Sequence, residues 1–297
     1  MKRIIAAIGL MSAAAIAGCG GSGSSTAQTA PVSGVVADGY LRNALVFLDK
    51  NGNYQLDAGE PNKTTDQNGG YTLNVDPADV GKYPIVAVAI KDQTIDKDTG
   101  TAVSSSYLLC TPAAGVSGTI SNFISPMSTV IMEKLQANPG MTLADAMTQL
   151  RNQLNMPAGM DMLGNYVAGA GAGQFMTQYQ TMHQVAQQMA GLMGSQSGLV
   201  MSGNNANMAR FRSMMGQINQ NLPQIASNAV QVNSAFMNSM MSQMQTSLTG
   251  IPVSSGFRNF SSMFRNMTSH QYFWNYSGSK WQPTGGMMGS GLGMMTR

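Results

Sequence analysis

The chain reads as an α+β protein, with a small N-terminal antiparallel β-sandwich followed by a Met-rich helical region. Three observations carry this reading. Residues 32 to about 112 hold short runs rich in β-branched and aromatic residues, separated by Gly, Pro, Asn and Asp. From about residue 142 onward, apolar residues recur at helical spacing. Methionine divides the same way: of 27 Met, 25 lie in residues 127–297 and none falls between 12 and 126. At 297 residues and 43% hydrophobic the chain can bury a core, and its length suggests about two domains.

The strand candidates are VSGVVADGY (32–40), NALVFLD (43–49), GGYTLNV (69–75), YPIVAVAI (83–90) and SSYLLC (105–110). Short strands with turn signals between them suggest a sandwich. Thr142 is suited to cap a short helix starting at Leu143. Three apolar stripes follow. The first is Phe175, Tyr179, Met182, Val185/Ala186, Met189 and Leu192/Met193. The second is Met208, Phe211, Met214/Met215, Ile218 and Leu222. The third is Ile225, Ala229, Val232, Phe236, Met240, Met244 and Leu248. Pro223 marks a helix break between the second and third. This places the β-sandwich at 32–118, the helical region at 119–269, and an aromatic segment with a Gly/Met tail at 270–297.

The N-terminus reads as a targeting segment. Lys2 and Arg3 precede an apolar stretch over residues 4–17 that is too short to span a bilayer. It ends Ile16-Ala17-Gly18-Cys19, which resembles the lipobox of bacterial lipoproteins. That resemblance implies removal of residues 1–18 and a lipid on Cys19; an ordinary secretory signal with a chance Cys is the alternative. Gly20 in place of Asp favours the outer membrane over inner-membrane retention, with the body on the cell surface or on the periplasmic face. Residues 20–31 form a flexible tether. No later run is long enough to span, so the lipid is the expected membrane attachment.

Composition excludes several functions. Two Cys exclude a disulfide framework and a four-thiolate zinc site, and Cys110 in an apolar run reads as a buried, inert thiol. No carboxylate follows Asp161, so carboxylate acid–base chemistry is excluded beyond it. No GxSxG elbow is present, and the chain is read as a non-enzyme. Bases such as Arg210, Arg212, Arg258 and Arg265 are too sparse for nucleic acid but suit anionic lipid or polysaccharide.

One stretch carries metal chemistry. Residues 49–60, DKNGNYQLDAGE, match the calcium-loop template at its side-chain ligand positions with Asp49, Asn51, Asn53, Asp57 and Glu60. Gln55 supplies the backbone carbonyl position and Leu56 the apolar anchor. A hard Ca²⁺ ion needs six to eight oxygens at short range, which alternating side chains in a curled loop can provide. Tyr54 departs from the template, which wants Gly there for a positive backbone angle. A polar turn between strands is the alternative. Asp92, Asp96 and Asp98 read as a hairpin tip, or else as a second, weak cation site.

The stretch VSGVVADGYLRNALVFLDKNGNYQLDAGEPNKTTDQNGGYTLNV resembles the calcium-binding prealbumin-like β-sandwich modules of bacterial surface proteins, of the collagen-adhesin B and serine-aspartate-repeat B types. In that resemblance Asp49, Asn51, Asn53, Asp57 and Glu60 fall on calcium positions. DTGTAVSSSYLLCTPAAG, ISPMSTVIMEKL and MTLADAMTQLRNQLNMPAGMDML resemble a segment that often follows this module in secreted proteobacterial proteins of unknown role. The resemblance covers roughly residues 32–167 and implies an extracellular, non-enzymatic surface protein.

The methionines admit two readings. Met182-His183, Met160-Asp161-Met162 and the Met240–Met244 cluster offer thioethers that suit Cu(I), as in a periplasmic copper-binding lipoprotein. Met on an apolar stripe is also ordinary core filling. His183 and His270 read as surface or satisfied interior residues rather than ligands. HQYFWNYSGSKW (270–281) is either a strand packed on the helices or an exposed strip for carbohydrate or a membrane interface. The expected whole is an outer-membrane-anchored lipoprotein acting as a calcium-stabilised binding or structural surface module, with a surface polysaccharide or protein as partner.

Overall fold

The computed structural model describes residues 28–118, 121–231 and 233–252. The signal segment, Cys19 and most of the tether lie outside the described residues, as do the 270–281 aromatic segment and the Gly/Met tail. The mixed α+β class holds. All five strand candidates form: β1 (Ala30–Val36), β3 (Leu45–Leu48), β5 (Gly70–Val75), β6 (Ile85–Ala89) and β9 (Tyr107–Thr111). Between and after them come β2 (Leu41–Arg42), β4 (Asn62–Thr64), β7 (Ile95–Asp96), β8 (Thr101–Ala102) and β10 (Asn122–Ile124).

One sheet has the order β10-β1-β5, a second β4-β3-β6-β9, and a small third β2-β7-β8. Pairing is antiparallel except for β1 with β10, which run parallel, with Val35 opposite Phe123. Side-chain alternation explains β5, where Tyr71, Leu73 and Val75 point inward and Thr72 and Asn74 outward. β6 is apolar throughout, β9 is apolar up to Thr111, and both are buried on both faces. The close approach of β1 to β10 needs Gly34, since a Cβ there would run into the Asn122 carbonyl oxygen and the Tyr71 hydroxyl.

The helices begin with α1 (Pro126–Ala137), which covers the edge of β9. Ser125 caps it by a reciprocal exchange with Ser128, and Pro126 occupies the first turn. The edge backbone of β9 is satisfied by α1 side chains. The Cys110 amide donates to Thr129 Oγ1 (2.9 Å), and Ser128 Oγ donates to the Cys110 carbonyl (2.7 Å). α2 (Leu143–Gln153) starts at Thr142 as expected, with Asp145 completing a capping box. There follow α3 (Tyr166–Gly169), α4 (Met176–Ser195), α5 (Ser197–Val200), the short pair β11 (Met201–Ser202) and β12 (Asn205–Ala206), and α6 (Met208–Gln220).

The third stripe is two helices rather than one. α7 (Leu222–Gln231) carries Pro223 in its first turn, and α8 (Ser234–Thr249) starts afresh. Asn233 causes the restart: its Oδ1 accepts from the Phe236 amide, and its amides bind Asn228. Phe175 stands at the N-cap position of α4, makes no side-chain capping bond, and packs half-buried against the core. The inward positions of the stripes are buried, including Met182, Met189, Met214, Met215, Met240 and Met244. Buried residues of sheets and helices form one connected apolar cluster. Among the described residues no helix is long and apolar enough to cross a membrane.

Candidate functional site

The loop between β3 and β4 begins at Asp49, which is fully buried, and ends at Glu60, also buried. Its backbone curls around the Asp49 carboxylate. Oδ1 accepts from the amides of Gly52 (2.8 Å) and Asn53 (3.2 Å), and Oδ2 accepts from the Tyr54 amide (3.0 Å). Glu60 closes the far end, with Oε1 accepting from the Lys50 amide (2.7 Å) and Oε2 from the Asp57 amide (3.0 Å). Asn51 and Asn53 both donate to Asp57 Oδ2 at 2.7 Å. Asn53 Oδ1 accepts from the Gln55 amide (2.7 Å), and Leu56 packs on the core. Hydrogen bonds thus draw Asp49, Asn51, Asn53, Asp57 and Glu60 into one connected loop.

The donor set is oxygen-only, which suits a hard cation and not a soft one. It includes three carboxylates, two amide side chains and the Gln55 position. Among the described residues no three His, Cys, Asp or Glu side chains are grouped tightly enough to hold a metal ion. Any ion in this loop therefore depends on the two Asn oxygens as well as the acids.

Tyr54 resolves the one departure from the template. It has φ 60°, the left-handed angle that the template's Gly provides. A non-Gly residue there costs roughly 1–2 kcal/mol. Its ring is 1% exposed and lies 4.9 Å, centroid to centroid, from Phe211 of α6. Its hydroxyl donates to Gln136 Oε1 of α1 at 2.7 Å. Burying such a ring contributes about 1.5–3 kcal/mol and the hydrogen bond about 1 kcal/mol more, so docking outweighs the backbone cost. Tyr54 therefore fastens the loop to the helices.

A second group of acids was only partly visible in the sequence. The β7–β8 hairpin turns through Asp96, Asp98 and Gly100, with the Gly100 amide donating to the Asp96 carbonyl (2.8 Å), so the hairpin-tip reading is correct. Asp92 sits in the preceding turn at φ 59° and does not join the others. Asp98 reaches α4, where Oδ2 meets His183 Nε2 (2.6 Å) and accepts from Gln187 Nε2 (2.8 Å). Met182, next to His183, points into the core, so the two do not form a ligand pair. The thioethers of Met160, Met162, Met240 and Met244 are buried too.

The strand candidate 32–40 takes in Asp38, but β1 ends at Val36 and Asp38 sits in the turn closed by the Ala37–Tyr40 bridge. There it is a buried carboxylate, 6% exposed, whose Oδ2 accepts from the Tyr107 hydroxyl at 2.6 Å. Burial pushes its carboxyl up to about 7, against the pull of the Tyr107 hydrogen bond, and the neighbouring Asp96 and Asp98 push the same way. Burial likewise raises Glu133 to about 7, opposed by Arg212. Burial raises Asp49 and Glu60 also, against the backbone amides that favour their charged forms.

Arg210, counted in the sequence among bases free to meet anionic lipid or polysaccharide, is committed inside the protein. It is 9% exposed and donates to the carbonyls of Leu199 and Ile251, tying down the end of α8. Cys110 is buried, and burial raises its thiol, as an inert cysteine requires. No known protein family, curated protein or solved structure matches the chain.

Two outcomes follow from this geometry. Tyr54→Gly restores the template's residue yet should destabilise the chain by roughly 2–3 kcal/mol in chemical denaturation, whereas Tyr54→Phe should cost only about 1 kcal/mol. A Gly variant as stable as the parent would show that the ring is no anchor. The second outcome concerns pH. A carboxyl raised in the folded chain adds stability that is present below its unfolded value and is lost as pH rises through its folded value. For Asp38 that window runs from 3.8 to about 7. Without added metal, stability should fall between about pH 4 and about pH 7, with Asp38 contributing up to roughly 4 kcal/mol across its whole window. Asp38→Asn should flatten this slope, and a parent profile that rises over the same range contradicts the assignment.

Proposed function

We propose that this chain is a lipid-anchored, extracytoplasmic surface module whose Asp49–Glu60 loop takes Ca²⁺ as a structural staple. The observation that carries the reading is Tyr54, which holds the left-handed angle a calcium loop needs at that position while its ring docks on α6 and its hydroxyl on α1. Asp49, Asn51, Asn53, Asp57 and Glu60 are the side chains that would hold the ion, with Gln55 supplying its carbonyl. Calcium supplies charge neutralisation and a fixed loop conformation there, not reaction chemistry. Through Tyr54 that fixed conformation is communicated to the helices.

The resemblance to prealbumin-like surface modules supports a sandwich descent for the β part and a binding or scaffolding role over an enzymatic one. Buried positions on the helical stripes account for the methionines as core filling. The lipobox-like Ile16-Ala17-Gly18-Cys19 supports attachment through Cys19, with the outer membrane as destination and a surface polysaccharide or protein as partner.

Calcium is tested by thermal and chemical denaturation with Ca²⁺ and with chelator. For a dissociation constant of ~0.1–1 mM, Ca²⁺ at about 10 mM should stabilise by roughly 1.4–2.7 kcal/mol. The gain should vanish in Asp49→Ala/Glu60→Ala and should be larger at neutral than at acid pH, because protons compete for the same oxygens. Absence of any Ca²⁺-dependent shift in the parent defeats the staple. Anchoring is tested by membrane fractionation. The parent should pellet with the membrane and Cys19→Ala should be released or remain unprocessed; a variant that is processed and still membrane-bound rules out the lipid on Cys19.

A further inference from the structure

A cleft of about 700 Å³ opens between the β7–β8 hairpin, the start of β9 and α4. It is separate from the Asp49–Glu60 loop. Its volume falls in the range of small-molecule sites. Asp38 and Asp96 line it together with Tyr107, Gln187 and a set of hydroxyl side chains including Thr101 and Ser105. No Lys or Arg is among the described residues lining it.

The electrostatics of this cleft are incomplete. Asp38 uses Oδ2 on the Tyr107 hydroxyl, but its Oδ1 is buried with no hydrogen-bond donor among the described residues. Leaving such an oxygen unpaired is costly, and a carboxylate can accept several donors. Asp96 and Asp98 stand close enough to add negative charge at Asp38. Asp98 is answered by His183 and Gln187, and Asp96 Oδ1 accepts from the Asp98 amide (2.9 Å), which leaves Asp38 without a countercharge. The nearby Lys97 is turned away, donating to Asn68 (3.0 Å) over the Tyr40 ring.

We infer that this cleft binds a primary ammonium group, with Asp38 as its principal acceptor and Asp96 as its electrostatic support. Asp96 Oδ1 and Asp98 Oδ2 converge beside Gly39, but among the described residues no three metal-ligating acids or histidines group together to hold a metal ion. An ammonium fits what is there. It carries three N–H donors, one for the unpaired Asp38 Oδ1 and the others for hydroxyl and carboxylate oxygens of the walls. The Thr and Ser hydroxyls accept as readily as they donate, so they can serve a cationic guest without opposing charge.

The same ammonium chemistry occurs on a free amine and on a lysine side chain. Calorimetric titration of the full chain with putrescine and with a blocked Gly-Lys-Gly peptide distinguishes them, with tetramethylammonium as a cation lacking N–H donors. Saturable binding of either amine, weakened at least about tenfold by Asp38→Asn, is the expected result. Binding of putrescine alone identifies a small amine as the guest, and binding of the peptide identifies a lysine side chain. Asp96→Asn, which leaves the buried Tyr107 contact intact, should weaken the same binding and serves should Asp38→Asn fail to fold. The inference is overturned if neither amine binds at millimolar concentration, if tetramethylammonium binds equally well, or if a folded Asp38→Asn or Asp96→Asn chain binds as the parent does. Saturable Ca²⁺ binding at this cleft in the Asp49→Ala/Glu60→Ala chain would overturn it as well.

Discussion

The ring of Tyr54 is where the two parts of this protein depend on each other. A polar loop rich in Asn, Asp and Gly has little reason to hold one shape by itself, because its backbone groups can be satisfied by water as well as by one another. Here an aromatic side chain projects from a left-handed residue of that loop into the helices, against Phe211 and onto Gln136. The local strain is smaller than the gain from burying the ring. The loop is therefore held in one conformation by this packing together with its own hydrogen bonds around the buried Asp49 and Glu60 carboxylates.

The seam between sheets and helices is polar in detail as well as apolar. Tyr166 donates to the Ala37 carbonyl at 3.0 Å and packs edge-on against Phe123. Asn165 donates to the Tyr40 hydroxyl, and His183 and Gln187 reach Asp98. These contacts set α3 and α4 on the end of the β part where Asp38 is buried. Ser128 and Thr129 do the corresponding work on the other side, satisfying the edge backbone of β9 at Cys110. A strand edge that is otherwise a template for aggregation becomes an internal joint.

A common electrostatic feature links the two acidic regions. Asp38, Asp49, Glu60 and Glu133 all hold their protons more tightly than in the unfolded chain, and in each the leading cause is burial. Structural carboxylates more often gain a partner that favours their charge. At each of the four, burial outweighs the groups that favour the charged form: backbone amides at Asp49 and Glu60, the Tyr107 hydroxyl at Asp38 and Arg212 at Glu133.

Local chemistry was legible in the sequence. Alternation and β-branching located five strands, Thr142 announced its helix, and the spacing of Asp49, Asn51, Asn53, Asp57 and Glu60 marked the loop, because each signal depends on residues near one another in the chain. Tertiary packing decided the rest. It buried Asp38 in a turn where the local sequence reads as the end of a strand, because Tyr107, far along the chain, lies against it. It divided the third helical stripe at Asn233, since a side-chain cap outweighed continued periodicity. It also turned Tyr54 from a misfit into an anchor, because the Phe211 and Gln136 that receive it lie far along the chain and meet it only once the fold is complete.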